Sequence, residues 1–286
     1  MLSIQSILKS TQEQLKQAGL VDSPLLDAEL LLCHALKVNR TYLFTWPEQE
    51  LSEQQYTDFQ SALSARLQGK PIAHIIGQRE FWGLNLLVTP DTLIPRPDTE
   101  TLIEAVLEQS SEPSQTCKIL DLGTGSGAIA LALKSELPYC EITAVDQSES
   151  ALKVAKQNAQ NLNLQVTFLE SNWFSAVAHT EFNYIVSNPP YIEDNDPHLK
   201  QGDVRFEPIT ALTSGQDGLV DIRIIINQAW SHLKPGGWLF IEHGYNQANP
   251  VSHLLMAQGY QQVSLKHDLA DNPRVSFAQK PFSNQS

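Results

Sequence analysis

Two short runs of residues combine side-chain types and spacing suited to chemistry. The first is Asp121-Leu122-Gly123-Thr124-Gly125-Ser126-Gly127, which closes an apolar strand pattern and opens a helical one. Glycine lets a backbone turn sharply and approach a ligand without a Cβ in the way. A helix that starts there offers free N–H groups to a polar or anionic ligand. Asp146 ends the next strand pattern, where a carboxylate can accept hydrogen bonds from both hydroxyls of a ribose. A glycine-rich strand-to-helix turn alone is common; with Asp146 in the same strand–helix–strand unit, the pair reads as a nucleoside site.

The glycine spacing narrows the ligand. A dinucleotide fingerprint reads GxGxxG and needs glycine at position 128, where this chain has Ala128. Asp121 is also an awkward neighbour for a pyrophosphate. Both features favour a ligand with an ammonium group and only a carboxylate, as S-adenosylmethionine has.

The second run is Asn188-Pro189-Pro190-Tyr191, directly after the strand pattern Phe182 to Ser187. In an open α/β sheet, ligands sit beyond the carboxyl ends of the strands. That puts Asn188 on the same edge as the glycine loop. These residue types suit methyl transfer to a planar, conjugated nitrogen, whose lone pair is poorly available and whose deprotonation is costly near neutral pH. The Asn188 side-chain oxygen can accept one N–H of such a group, and the Pro189 carbonyl the other, its direction stiffened by proline. Pro190 extends that rigid turn, and Tyr191 offers a flat face to the planar group. Catalysis would rest on positioning.

The elements that must carry these runs follow from periodicity. Strand patterns fall at 117–121, 140–145, 165–170, 182–187, 237–242, 261–266 and 274–280, and helical patterns at 127–136, 148–161, 218–233 and 247–258. The alternation predicts an α/β fold, a doubly wound, mostly parallel sheet, with an antiparallel hairpin from the last two strands. Residues 1–72 read as a small helical bundle. Gly19 stops one helix, Ser23-Pro24 start another with Leu25, Leu26, Leu32, Cys33 and Leu36 as its apolar residues, and Ser52 with Gln55 forms a capping box. The stripe after it is Tyr56, Phe59, Leu63 and Leu67. Residues 73–97 read as a linker, with a β-ribbon turning near Gly83 and a proline-stiffened end. Residues 98–286 form the catalytic domain, opened by a helix that Asp98 caps.

Composition sets outer bounds. The 286 residues carry a formal net charge of −13 and no long Lys/Arg run, which disfavours stable binding to bare nucleic acid. No apolar stretch approaches the length that spans a bilayer, and the first residues lack the pattern of a signal peptide, so a cytoplasmic protein is expected. Cys33, Cys117 and Cys140 are far apart, form no CxxC or Cys/His cluster that would suggest a metal, and read as three reduced thiols.

Residues 71–282 resemble the PrmC/HemK family of N5-glutamine methyltransferases, and the N-terminal helices are compatible with that family's small helical domain. The glycine loop and the Asn-Pro-Pro-Tyr run carry the resemblance, together with two more specific segments: Ile94-Pro95-Arg96-Pro97-Asp98-Thr99-Glu100 and Gly202-Asp203-Val204-Arg205-Phe206-Glu207-Pro208. The resemblance implies S-adenosylmethionine as cofactor and class-1 peptide chain release factors as partners, methylated on the glutamine of a Gly-Gly-Gln loop. It implies that Gly123, Thr124, Gly125, Ser126, Gly127, Asp146, Trp173 and Asn188 contact the cofactor, and that Asn188, Pro189, Pro190 and Tyr191 receive the glutamine. The family often has an acid where Asn172 stands; the amide oxygen is a weaker acceptor for an adenine amino group.

Two other functions fit the same runs: an exocyclic-amino methyltransferase acting on adenine N6 of DNA or RNA, and a cofactor-binding protein without catalysis. Four residues keep two readings each. Arg96 either closes over the site or pairs with Asp98 or Glu100. Arg205 and Glu207 either grip the substrate protein or pair with each other. Glu242, beside His243 at the end of a strand, is placed for acid–base work that positional methyl transfer does not require.

Overall fold

The computed structural model describes residues 2–19, 23–110 and 116–282. Its contacts divide the chain into two compact units, Met1–Gln78 with Pro197–Phe206, and Arg79–Asp196 with Glu207–Ser286.

The first unit is helical, with α1 (Ile4–Ala18), α2 (Pro24–Leu36), α3 (Arg40–Thr45), α4 (Glu53–Leu67) and α5 (Ile72–Ile76). Gly19 ends α1 in the left-handed region, its N–H on the Lys16 carbonyl. Ser52 and Gln55 form both bonds of the capping box at α4. Ile4, Ile7, Leu15, Leu31, Leu32, Phe59 and Leu63 make the core. Three details differ from the sequence reading. Ser23 stands at the start of α2 but makes no side-chain cap bond. Leu25 and Leu26 are exposed, because the helix turns Ala28, Leu31 and Leu32 inward instead. Tyr56, on the α4 stripe, is also exposed. Buried Arg66 holds this unit's two chain segments, bonding Asp27 at 2.7 Å and Asp203 at 3.1 Å.

The second unit begins with a ribbon of β1 (Gln78–Phe81) and β2 (Leu84–Leu87). Trp82 and Gly83 both take positive φ, the two-residue turn that matches strand twist. Trp82 bears that unusual backbone because its N–H bonds Glu100 and its indole bonds Glu136, each at 2.8 Å. Phe81 and Leu86 of the ribbon are fully buried in the unit's core.

The sheet contains β3 (Lys118–Leu122), β4 (Glu141–Asp146), β5 (Thr167–Glu170), β6 (Phe182–Ser187), β7 (Leu233–Glu242), β8 (Gln261–His267) and β9 (Pro273–Gln279). The strand order is β5-β4-β3-β6-β7-β9-β8. The first five are parallel; β9 runs antiparallel to β7 and to β8. The helices α6 (Glu100–Gln109), α7 (Ala128–Glu136), α8 (Glu149–Leu162), α9 (Val220–His232) and α10 (Ala248–Gln258) complete the unit. Successive side chains in a strand point to opposite faces. Thus Ile119 joins one buried cluster with Phe240 and Phe277, while Leu120 joins another with Ile185 and Leu239. Both faces are covered, as a parallel sheet requires.

Chain order reverses at β3, which pairs with β4 on one side and β6 on the other. Such a switch point opens a crevice beyond the strand ends, the usual ligand position in this architecture.

Two further expectations are corrected. Asp98 does not cap a helix: Pro97–Thr99 is a short 3-10 turn, Thr99 stands at the start of α6, and Asp98 pairs with Arg274 at 3.3 Å. The thiols are not all free. Cys117 and Cys140 are joined in a disulfide with Cα atoms 4.5 Å apart, and Cys33 is free. Each precedes one of two adjacent parallel strands, whose register begins Lys118↔Glu141. Sequence distance hid that proximity.

Candidate active site

The glycine loop leaves β3 at the switch point. Gly123, Gly125 and Gly127 all have positive φ, a conformation that side chains with a Cβ rarely adopt. The N–H groups of Gly123 and Thr124 both donate to the Val145 carbonyl at 2.9 Å, which ties the loop to β4. Gly127 also permits close helix packing: a Cβ there would stand 3.2 Å from Ala155 Cβ on α8. Buried Asn158 of α8 accepts from the Leu87 N–H at 2.7 Å and donates to the Leu87 and Ser126 carbonyls, so it joins the ribbon to the loop.

Asp146 ends β4. One of its oxygens accepts the Gly125 N–H and the other the Ser148 N–H, each at 2.9 Å. The Gln147 N–H also bonds this carboxylate, which still leaves it an acceptor position. Burial raises its pKa, opposed by those backbone hydrogen bonds. Asp121 lies fully buried at the end of β3, with Oδ2 accepting from Thr124 at 2.6 Å and Oδ1 without a partner. Burial first, and the nearby Asp146 charge to a lesser degree, push Asp121 up to about 7.

Asn188 follows β6 across the crevice. Its Nδ2 donates to Thr99 Oγ1 at 3.2 Å. The Tyr191 hydroxyl donates to Glu242 Oε1 at 3.5 Å. Burial and the Glu242 charge both raise the Tyr191 phenol, so it stays protonated. The backbone of this run is held as firmly. Tyr191 and Ile192 donate to the Leu212 carbonyl, and Gln247 Nε2 donates to the Tyr191 carbonyl at 3.0 Å.

The two runs meet at one cavity of about 300 Å³. Of the residues named from the sequence, Gly123, Gly125, Asp146, Trp173, Asn188 and Pro190 line it. Thr124, Ser126, Gly127 and Pro189 are buried beside that lining, and Tyr191 is half-buried behind it. Trp173 has a positive φ of 48°, and its ring edge lies 3.5 Å from where a Cβ on Gly123 would be. Asn172 lines the same space.

Two family profiles match the chain: the PrmC N-terminal domain over residues 6–77 and the methyltransferase small domain over residues 97–203. The sequence is 48% identical to the release factor glutamine methyltransferase of Vibrio cholerae over 280 residues, 97% of each chain. It is 48% identical to the protein of that name from Escherichia coli, covering 93% of this chain and 96% of the other. The chain belongs to the release factor glutamine methyltransferase family. Solved methyltransferases share its fold at low identity. One from Pyrococcus furiosus is 19% identical, covers 78% of this chain and 99% of its own, and has a TM-score of 0.53. The 16S rRNA N2 G1207 methyltransferase of T. thermophilus, in complex with AdoMet and guanosine, is 21% identical, covers 71% and 49%, and has a TM-score of 0.52.

Around this family's two motifs, the structure adds residues that the sequence reading left open or missed. Arg96 pairs with Glu207, whose side chain is fully buried and also accepts from the Ile94 N–H. Neither Asp98 nor Glu100 takes the expected pairing: Asp98 is on Arg274 and Glu100 on the Trp82 N–H. Arg205 lies over the Phe206 ring, 4.9 Å from its centroid, within the helical unit. His243 is buried between Ser276 and the Gly244 carbonyl, and burial lowers its pKa. Glu242 is 1% exposed, and burial pushes its carboxyl up to about 7 against hydrogen bonds from Thr99 and Tyr191 and the charge of Arg274. Thr99 stood in one of the quoted segments without a role of its own, and Asn158 and Gly218 carried no sequence signal. At Gly218, φ is +67° and a Cβ would stand 2.2 Å from the Tyr191 carbonyl oxygen.

Proposed function

We propose that this chain transfers a methyl group from S-adenosylmethionine to the side-chain amide nitrogen of the glutamine in the Gly-Gly-Gln loop of class-1 peptide chain release factors. The observation that carries the reading is the shared cavity: the glycine loop and Asp146 line it from one side of the switch point, Asn188 and Pro190 from the other. The extended identity to proteins named release factor glutamine methyltransferases supports the substrate.

The residues fit the cofactor. Asp146 keeps acceptor capacity beside its backbone hydrogen bonds for a ribose hydroxyl. Trp173 offers a flat face for an adenine, beside Asn172 as a neutral acceptor. The unpartnered, buried oxygen of Asp121 beneath the loop favours a cationic ligand over a pyrophosphate. When bound, S-adenosylmethionine supplies a sulfonium leaving group and hence an electrophilic methyl carbon.

The protein's own contribution is aim. The Asn188 Oδ1 and the Pro189 carbonyl accept the two N–H bonds of the glutamine amide, and the Pro189-Pro190 backbone fixes their directions. Tyr191 packs its ring against the amide plane. Holding the nitrogen in line replaces a costly deprotonation by orientation, a route that can supply several kcal/mol. Methyl transfer would then be a direct displacement with inversion at carbon: the N–C bond forms as the S–C bond breaks, the sulfur keeps the electron pair and leaves as the neutral thioether, and the methylated amide, made strongly acidic, gives its extra proton to water.

The test is mass spectrometry of an unmethylated release factor incubated with the protein and S-adenosylmethionine. One added methyl on the Gly-Gly-Gln glutamine is expected. An unmodified factor, with methylation of DNA or RNA instead, would move the reading to an adenine N6 acceptor. Cofactor binding with no acceptor modified would leave a binding protein.

A further inference from the structure

Asn188 can aim a substrate amide only if its oxygen, not its nitrogen, faces the cavity. An amide group has two nearly isosteric ends, so something must select between them. The selection is visible beneath the loop. Asn188 Nδ2 donates to Thr99 Oγ1 at 3.2 Å, and Thr99 is 4% exposed. A hydroxyl has a single proton to give. Thr99 also hydrogen-bonds Glu242, and a hydroxyl that gives its proton to that carboxyl turns only lone pairs toward Asn188. Glu242 also receives the Tyr191 hydroxyl, at 3.5 Å. It does not line the cavity, and its second oxygen is buried without a partner.

We propose that Glu242 and Thr99 are positioning residues for the acceptor site: Glu242 orients the hydroxyls of Thr99 and Tyr191, and Thr99 in turn fixes the Asn188 amide with its oxygen toward the substrate. This rests on the methyltransferase reading above and assigns work to two residues outside its reacting groups. It also gives a buried acid at the strand end a task other than proton transfer. The acid–base alternative would require Glu242 to reach the reacting nitrogen, and Tyr191 and Thr99 stand over it instead.

The experiment compares Thr99→Val, Thr99→Ser, Glu242→Gln and the Thr99→Val/Glu242→Gln double variant on release factor, with S-adenosylmethionine affinity measured separately by calorimetry. Thr99→Val should lower kcat about 10- to 100-fold, since the amide can then present either end. Its cofactor affinity should stay within about twofold of wild type, because the ribose and loop contacts are untouched. Thr99→Ser, which keeps the hydroxyl, should recover most of kcat; a loss of packing alone would not be recovered by the smaller residue. The double variant should lose little more than the worse single variant, as two links of one chain do. Full kcat in Thr99→Val, or a loss that serine does not restore, overturns the proposal. If Glu242→Gln fails to fold, the Thr99 pair still decides. A wild-type protein that leaves release factor unmethylated is a different failure, that of the substrate reading itself.

Discussion

The two sides of the cavity are built by different means. The side proposed for the cofactor is local. The loop from Gly123 to Gly127 bonds to Val145 and Asp146 on the adjacent strand, and Asp146 is held by the loop and by its own successor turn. The side proposed for the methyl acceptor is assembled from distant segments. Asn188 leans on Thr99, Tyr191 on Glu242, and the Tyr191 carbonyl on Gln247 and the bare backbone of Gly218. The first side needs little more than one strand–helix–strand unit. The second exists only when the start of α6 and the ends of β6 and β7 are brought together. Substitutions on the cofactor side should therefore act on binding, and those on the acceptor side on turnover.

The sharpest form of that contrast is Asn188→Ala. On the proposed reading it removes one of two acceptors that aim the substrate nitrogen, and kcat should fall by about a thousandfold. Cofactor affinity should change far less. Near-normal turnover, measured by methyl incorporation into release factor, would break the assignment. Asp146→Ala is the counterpart on the other side. It removes the acceptors proposed for the ribose and also frees the Gly125 N–H, so S-adenosylmethionine affinity should weaken about 10- to 100-fold by calorimetry. With saturating cofactor, kcat should recover most of its value. A kcat defect that saturation leaves in place would blur the two sides into one.

The same difference explains what the sequence disclosed. The glycine spacing, Ala128 and Asp146 all belong to one contiguous unit whose local rules are strict, and all the core strands and helices of the sheet lay within a few residues of their periodic patterns. Thr99 looked like any residue before a helix, and the cap was expected from its neighbour Asp98. What decided otherwise was Arg274, far along the chain, which draws Asp98 away. Arg96 and Glu207 stood in two separate motifs, and neither motif reveals that they pair. The Cys117–Cys140 bond belongs to the same class, since only the register of β3 against β4 makes neighbours of them. Long-range partners have no local signature, so the acceptor side was named by its motif and not by its supports.

Gly218 offers a smaller test of those supports. Its carbonyl-facing side has no room for a methyl, and its φ is left-handed. Gly218→Ala should push Tyr191 and lower kcat about tenfold, with cofactor affinity kept. Retained kcat would mean that the Tyr191 position tolerates more movement than a positional mechanism allows.

The smallest effect expected concerns Asp121, and it separates stability from binding on the cofactor side itself. Asp121 and Glu242 are both held up to about 7 by burial, well above an exposed carboxyl. A raised pKa means that the fold prefers the protonated form. The stabilisation from protonation is present in full below the unfolded-state pKa, near 4, and is lost as pH rises through 7. Wild-type Tm should therefore fall between about pH 5 and pH 8 for these two groups. Asp121→Asn removes one of them: its Tm should exceed that of wild type at pH 8 by a few degrees, and the difference should shrink toward pH 5. The neutral side chain should at the same time weaken S-adenosylmethionine binding severalfold, because the negative charge beneath the loop is gone. Buried charge at this position would then persist for the cationic ligand at the expense of the fold. A Tm difference that is the same at both pH values would show that Asp121 is not the group that titrates.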